Sequence, residues 1–118
     1  MKALGLAWLG ISSDDYDATV SLFRDVLGLE VAFAEEETVE LKLPAGERVQ
    51  IFGPGHRYHD RLEGGPMPLF EVDDLEAAEA RVRAAGLEIL RHDSDSAWDW
   101  LDFRGPDGNL YALGQRNG

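Results

Sequence analysis

The stretch Phe103-Arg104-Gly105-Pro106-Asp107-Gly108-Asn109-Leu110-Tyr111-Ala112-Leu113 reads as strand, tight turn, strand. Pro presets φ, Gly admits positive φ, and Asp and Asn bond back to the local backbone, so Pro-Asp-Gly-Asn is dense turn chemistry. Its apolar close, Ala112-Leu113-Gly114, has an echo in Ile51-Phe52-Gly53. Working outward, Ser13-Asp14-Asp15, a helical pattern and Gly28-Leu29-Glu30 match Val72-Asp73-Asp74, a helical pattern and Gly86-Leu87-Glu88. The sequence is therefore an internal repeat, and each half reads β-α-β-β-β. One such unit leaves a sheet face bare, so it needs the second unit or another chain.

The elements follow from periodicity. Leu4 to Ile11 is apolar throughout, which predicts a strand covered on both faces. Ser13-Asp14-Asp15 is a helix-start cluster. Tyr16, Thr19, Val20, Phe23, Val26 and Leu27 lie on one helical face, and Gly28 stops the helix. Strands are expected over Leu29 to Phe33, Thr38 to Leu43 and Arg48 to Phe52. Residues 53–66 lose all apolar period and read as a long central loop, a candidate lid. Met67 to Val72 is a further strand. Asp73 to Glu76 reads as a capping box, Leu75, Ala78, Val82 and Ala85 as a helical stripe with a Glu79–Arg83 pair, and Gly86 as the stop. Leu87 to Arg91, Ala97 to Phe103 and Asn109 to Gln115 complete the strands.

Bulk properties narrow the function. The 118 residues are 44% hydrophobic and 29% charged, within the range of an ordinary globular domain. Eleven basic against 23 acidic residues give a net charge of −12. That disfavours nucleic acid and anionic membranes, both of which need clustered Lys and Arg; it suits a cationic ligand or simply a soluble acidic surface. With no cysteine there is no disulfide, thiolate nucleophile or thiolate-bound metal. No apolar run reaches spanning length, and the N-terminal residues do not read as a leader, so the cytoplasm is the expected location.

The paired modules, with Asp14-Asp15, Phe23-Arg24-Asp25-Val26-Leu27-Gly28-Leu29, Phe70-Glu71-Val72-Asp73-Asp74-Leu75 and Gly105-Pro106-Asp107-Gly108-Asn109-Leu110, resemble the vicinal oxygen chelate superfamily. That group includes glyoxalase I, bleomycin-resistance proteins, fosfomycin-resistance proteins and extradiol dioxygenases. The resemblance covers the whole chain. It implies one α+β domain over residues 1–118: module 1 to about residue 53, a linker loop 54–66 and module 2 from 67. It further implies a cup-shaped mixed sheet with helices outside, a cavity within, and a homodimer. Such a fold does not fix an activity.

The resemblance also implies one divalent metal held by about four His, Glu or Gln ligands. The first-strand His position is Trp8. The His opening the second module is Met67, and the last-strand Glu is Ala112. The repeat maps Ala112 onto Ile51, and a slip of one residue would place Gln50 there instead. Trp, Met and Ala cannot serve such a cation, so no metal and no cofactor is expected, and whether the chain is an enzyme is left open. Gly105 also stands where the family turn carries Asp. His56, His59 and Asp60 in the central loop, and His92-Asp93, are an alternative metal cluster, although loop histidines are most often just solvated. Asp93, Asp95 and Asp99 are candidate proton carriers or, more simply, surface charge.

The aromatic residues carry more. Trp8 is placed in the cavity by its ligand position, with Leu4, Leu6, Leu69 and Glu71 joining by strand parity. Trp98 and Trp100 share a face of the seventh strand, and parity leaves open whether that face is cavity or core. Tryptophan faces bind flat apolar or cationic groups. The reading is metal-independent binding of a small apolar or aromatic molecule, with a cation as one option, on the pattern of bleomycin sequestration. Trp8, Ile51, Met67, Leu69 and Ala112 would shape the pocket, Trp98 and Trp100 would stack, and Glu71 could hold a positive charge. The alternatives are a metal-dependent lyase, isomerase or dioxygenase built on Gln50 and the loop histidines, a metal-free enzyme with an acid such as Glu71, and a non-catalytic dimerisation module.

Overall fold

In the computed structural model, which describes residues 1–118, the predicted repeat appears as eight strands and two helices. They are β1 (Ala3–Ser12), α1 (Tyr16–Ser21), β2 (Glu30–Glu35), β3 (Thr38–Lys42), β4 (Arg48–Phe52), β5 (Met67–Val72), α2 (Leu75–Ala84), β6 (Glu88–Ser94), β7 (Trp98–Arg104) and β8 (Leu110–Arg116). Parallel and antiparallel pairings are mixed, and the class is α+β. No helix is long and apolar enough to cross a membrane.

The chain divides into two units, Trp8–Pro66 and Met1–Ala7 with Met67–Gly118. In the first, the strand order is β2-β3-β4-β1, with β1 parallel to β4 and Ile11 opposite Ile51. Val39, Leu41, Val49 and Ile51 point to one face, where Val20 of α1 packs on them with Leu9, Ile11, Tyr16 and Phe23. In the second, the order is β1-β5-β8-β7-β6, with β5 parallel to β8 and Leu69 opposite Ala112. Val72, Leu101 and Leu113 form its core with Ala78 and Val82 of α2. In both units the cluster packed on the helix thus lies on one sheet face, and strand alternation sends the neighbouring residues to the other.

Three local expectations are corrected. The stripe from Tyr16 to Leu27 is not one α-helix. After Ser21 the chain widens into a π-helical turn, Leu22–Val26, with Leu27 N–H donating to Leu22 O at 2.9 Å. The wider turn rotates the stripe, and Val26 and Leu27 are 73% and 58% exposed. The cap of α2 is Asp74, whose Oδ1 accepts from Ala77 N–H at 3.0 Å. Asp73, the expected cap, is taken up elsewhere: its Oδ1 accepts from Lys2 N–H at 2.6 Å, and its own N–H donates to Lys2 O. Finally, β1 is not covered on both faces, because Leu4 and Leu6 are about half exposed. The Glu79–Arg83 pair forms at 2.9 Å.

Candidate functional site

In the Trp8–Pro66 unit the face opposite α1 is built around Trp8. Alternation puts Trp8, Gly10 and Ser12 of β1 on it, and the β4 register sets Arg48, Gln50 and Phe52 opposite them in turn. The indole folds back along its own strand and lies over Gly10. A Cβ built at Gly10 would stand 2.2 Å from Trp8 Cη2, so only glycine leaves room there. This directs the ring N–H across to β4, where it donates to Gln50 Oε1 at 3.1 Å. Gln50 Nε2 donates to Thr38 Oγ1 at 3.1 Å, and the buried Thr38 hydroxyl donates to Ile51 O at 2.8 Å. Every strong polar atom of the chain Trp8–Gln50–Thr38 therefore has a protein partner. Beside it, Arg48 and Glu40 pair at 3.2 Å.

The central loop closes over one end of this face. Phe52 is almost fully buried, with its ring 6.2 Å from that of Trp8, 4.9 Å from His56 and 5.8 Å edge-on from Tyr58. Arg57 and Arg61 hold their guanidinium carbons 4.8 and 4.7 Å from the Tyr58 ring. His56 Nδ1 accepts from Tyr58 N–H at 3.1 Å, and burial, with Arg57 nearby, pulls its pKa below the ordinary imidazole value. His59 behaves oppositely. Its two ring nitrogens meet Asp60 Oδ1 at 2.8 Å and Asp14 Oδ1 at 2.9 Å, and these carboxylates, Asp60 first, raise its pKa. Ser12 Oγ donates to His59 O, so the loop is tied both to the end of β1 and to Asp14 just beyond it.

In the other unit the face opposite α2 carries Met67, Leu69 and Glu71 of β5, Ala112 and Gly114 of β8, and Trp98, Trp100 and Asp102 of β7, with Asp102 opposite Ala112. Leu101 is wholly buried against α2, which settles the parity of β7: both tryptophans lie away from the helix core. Met67, Leu69 and Ala112 are buried. Asp102 is 4% exposed, an unusual place for a carboxylate, and Arg91 of β6 reaches it at 3.7 Å. Arg116 lies over the Trp98 ring at 4.4 Å and donates from Nε to Glu71 Oε2 at 3.1 Å.

The expected residues thus fall into groups. Trp8 keeps the company of Gln50. Met67, Leu69, Glu71, Trp98, Trp100 and Ala112 share one face. Ile51 is the exception: its side chain is wholly buried among Val20, Val39, Leu41 and Val49, facing α1. The residue beside Trp8 is Gln50, one position earlier, because alternation turns successive side chains to opposite faces. Leu4 and Leu6 are exposed side chains of β1.

Sequence reasoning did not find Thr38, Phe52, Tyr58, Asp102 or Arg116. For Asp102 and Arg116 the signal was available, since each shares strand parity with residues already chosen. Asp95 is a turn residue, accepting from Ala97 and Trp98 N–H at 2.8 Å, and Asp93 accepts from Ser94 N–H. His92 pairs with Glu79 of α2.

The family-type metal does not fit these residues. Gln50 has both amide atoms engaged, Trp8 offers a donor where a ligand must offer a lone pair, and Ala112 has no donor atom. Met67 offers a soft thioether, unsuited to a hard or borderline cation. No group of three or more His, Asp or Glu side chains is arranged to hold a metal ion, and the nitrogens of His59 are already engaged by carboxylates.

Comparison with known proteins agrees with this architecture. The family model described as Glyoxalase/Bleomycin resistance protein/Dioxygenase superfamily matches residues 5–113. A superfamily member from Vibrio splendidus 12B01 is 27% identical, with 97% of this chain and 99% of that one covered and a TM-score of 0.71. Methylmalonyl-CoA epimerase from Mycobacterium tuberculosis is 22% identical over 98% of this chain and 90% of that one, at a TM-score of 0.75. The Mn(II)-bound glyoxalase from Novosphingobium aromaticivorans is 19% identical over 97% of this chain but 39% of that one, at 0.76. No curated protein sequence matches.

Proposed function

The chain belongs to the Glyoxalase/Bleomycin resistance protein/Dioxygenase superfamily, and from that premise we propose that it binds a small apolar or aromatic molecule without using a metal. One observation carries the reading: the hydrogen bond from the Trp8 indole to Gln50 Oε1. It joins Trp8, where the resemblance puts a metal ligand, to Gln50, where a slip of one residue would put another, and it engages the one amide oxygen present there. What this face then offers a ligand is a flat indole held rigidly over Gly10. Aromatic rings of this kind recognise planar apolar groups by stacking and cations by their π faces. Met67, Leu69 and Ala112, buried on the corresponding face of the other unit, would form the apolar base beneath a ligand bound there rather than its contact surface. Sequestration is the activity that needs no more than this.

The test is a ligand screen on the tryptophan emission. Trp8→Ala is expected to weaken the best ligand at least tenfold, while a chelator changes nothing and the purified protein carries well below one metal ion per chain. Tight binding indifferent to Trp8→Ala, or a stoichiometric metal, would sink the proposal. We further propose that the chain works as a cytoplasmic homodimer. Exposed Leu22, Val26, Leu27, Val31 and Phe33 in the one unit, and Leu4, Leu6 and Phe70 in the other, favour a second copy as cover. Sedimentation at micromolar concentration and cell fractionation check those two points.

A second reading, a metal-free enzyme, is favoured by Asp102. A buried carboxylate on a strand face with Trp100 is a group that could hold or pass a proton. Asp102→Asn would then abolish turnover of a substrate while leaving its binding in place.

A further inference from the structure

We propose that Trp98 and Glu71 form a binding site for a small organic cation of the guanidinium or ammonium type, and that Arg116 of the same chain fills this site in the free protein. The inference rests on the ligand-binding reading above and assigns the charge of the ligand.

The site is assembled from three adjacent strands. Trp98 of β7 pairs directly with Arg116 of β8, and Glu71 of β5 pairs with Gly114. Gly114 leaves the space between them free: a Cβ there would stand 3.1 Å from both Trp98 Cε3 and Leu69 Cδ2. The indole can therefore settle against the sheet beside Gly114 with one face turned to Arg116. The guanidinium carbon stands 4.4 Å from the ring centroid, well inside cation–π range, while Nε is bonded to Glu71. An aromatic face with a carboxylate beside it is the chemistry that recognises an organic cation, and here both halves already engage one.

Arg116 is also placed to leave. Its side chain is 59% exposed, against 22% for Glu71. The backbone does not need to move with it, because the following residue is pinned: Asn117 N–H donates to Ala97 O at 2.8 Å and its side-chain amide donates to Asp95 O at 3.1 Å. A rotamer change is enough to uncover the ring and free the carboxylate. Exposed ion pairs and exposed cation–π contacts are each weak, so an incoming cation faces a modest competitor.

Phenylguanidine and its neutral isostere phenylurea are suitable probes, titrated into the full chain and read at the Trp98 indole N–H by NMR, with the signal assigned by Trp98→Phe. Removing the competitor with Arg116→Ala is expected to tighten phenylguanidine about five- to tenfold at Trp98. Phenylurea should be unchanged, and Arg116→Lys should behave as the wild type. Adding Glu71→Gln to Arg116→Ala should abolish the gain. The inference is overturned if Arg116→Ala leaves phenylguanidine unchanged or weaker, if phenylurea tightens equally, or if the gain survives Glu71→Gln. The ligand-binding proposal is judged separately, by the effect of Trp8→Ala and of a chelator on the best ligand of the screen, so the two can fail independently.

Discussion

Trp8 and Gly10 occupy one space: the indole of the first fills the volume that a side chain on the second would need. This contact aims the ring N–H at Gln50, so the smallest residue on β1 sets the direction of the largest. Gly10→Ala is expected to push the indole off its seat, break the bond to Gln50 and cost about 1–3 kcal/mol, the usual range for overpacking. Urea denaturation measures the loss. A shift of tryptophan emission in the native baseline reports the displaced ring.

Thr38 ends the same chain of hydrogen bonds. Thr38→Val keeps the shape but strands Gln50 Nε2 and removes the hydroxyl's bond to Ile51 O, and is expected to destabilise the protein by about 1–3 kcal/mol. Gln50→Leu removes the amide as well as its bond to the hydroxyl. The double variant is therefore expected to lose less than the sum of the singles, and a double-mutant cycle reads this directly.

Restoring the family's last-strand glutamate should not restore a metal centre. Ala112 has no exposed surface and sits opposite the buried Asp102. Ala112→Glu would add bulk and a second carboxylate beside the first, at an expected cost of about 3 kcal/mol or more. Thermal melts with and without Mn(II) or Zn(II) test both parts. A metal-dependent rise in Tm would show that the site can be rebuilt after all.

The central loop should respond to pH in two directions. The His59 pKa is raised by Asp60 and Asp14, so its contribution is complete below the unfolded value of about 6.5 and fades as pH rises through the folded value. The His56 pKa is lowered by burial, so its contribution is complete above that value and fades as pH falls through the folded one. Amide protection over residues 53–66 is therefore expected to peak near pH 6.5. His59→Gln should flatten the alkaline limb and His56→Phe the acidic one, measured by hydrogen exchange corrected for intrinsic rates.

The fold was legible because its cues are local and repeated. Gly28 and Gly86 closed their helical segments as predicted, and both carry positive φ. Alternation through Val39 and Leu41 fixed β3 to within one residue of its end. The site was harder to read because it depends on register and rotamer. Counting from Ala112 onto Ile51 selected the wrong face of β4, and only the pairing of Gly10 with Gln50 shows which residue meets Trp8. Likewise, nothing local to Trp98 or Glu71 indicates that Arg116 engages both. The π-helical turn after Ser21 escaped for a related reason: the stripe through Leu27 satisfies an α-helical period equally well.

The bonds between Lys2 and Asp73 join residues 71 apart in sequence. Met1–Ala7 belongs to the same compact unit as Met67–Gly118, whereas Trp8–Pro66 forms the other unit from one continuous stretch. During synthesis Met1–Ala7 is therefore made a whole unit ahead of its partners. Loop closure over that span is entropically costly and slow compared with the local contacts of the Trp8–Pro66 unit. Met67–Gly118 completes its unit with residues made before the intervening one, so damage within Met1–Ala7 is felt in the distal half of the sequence.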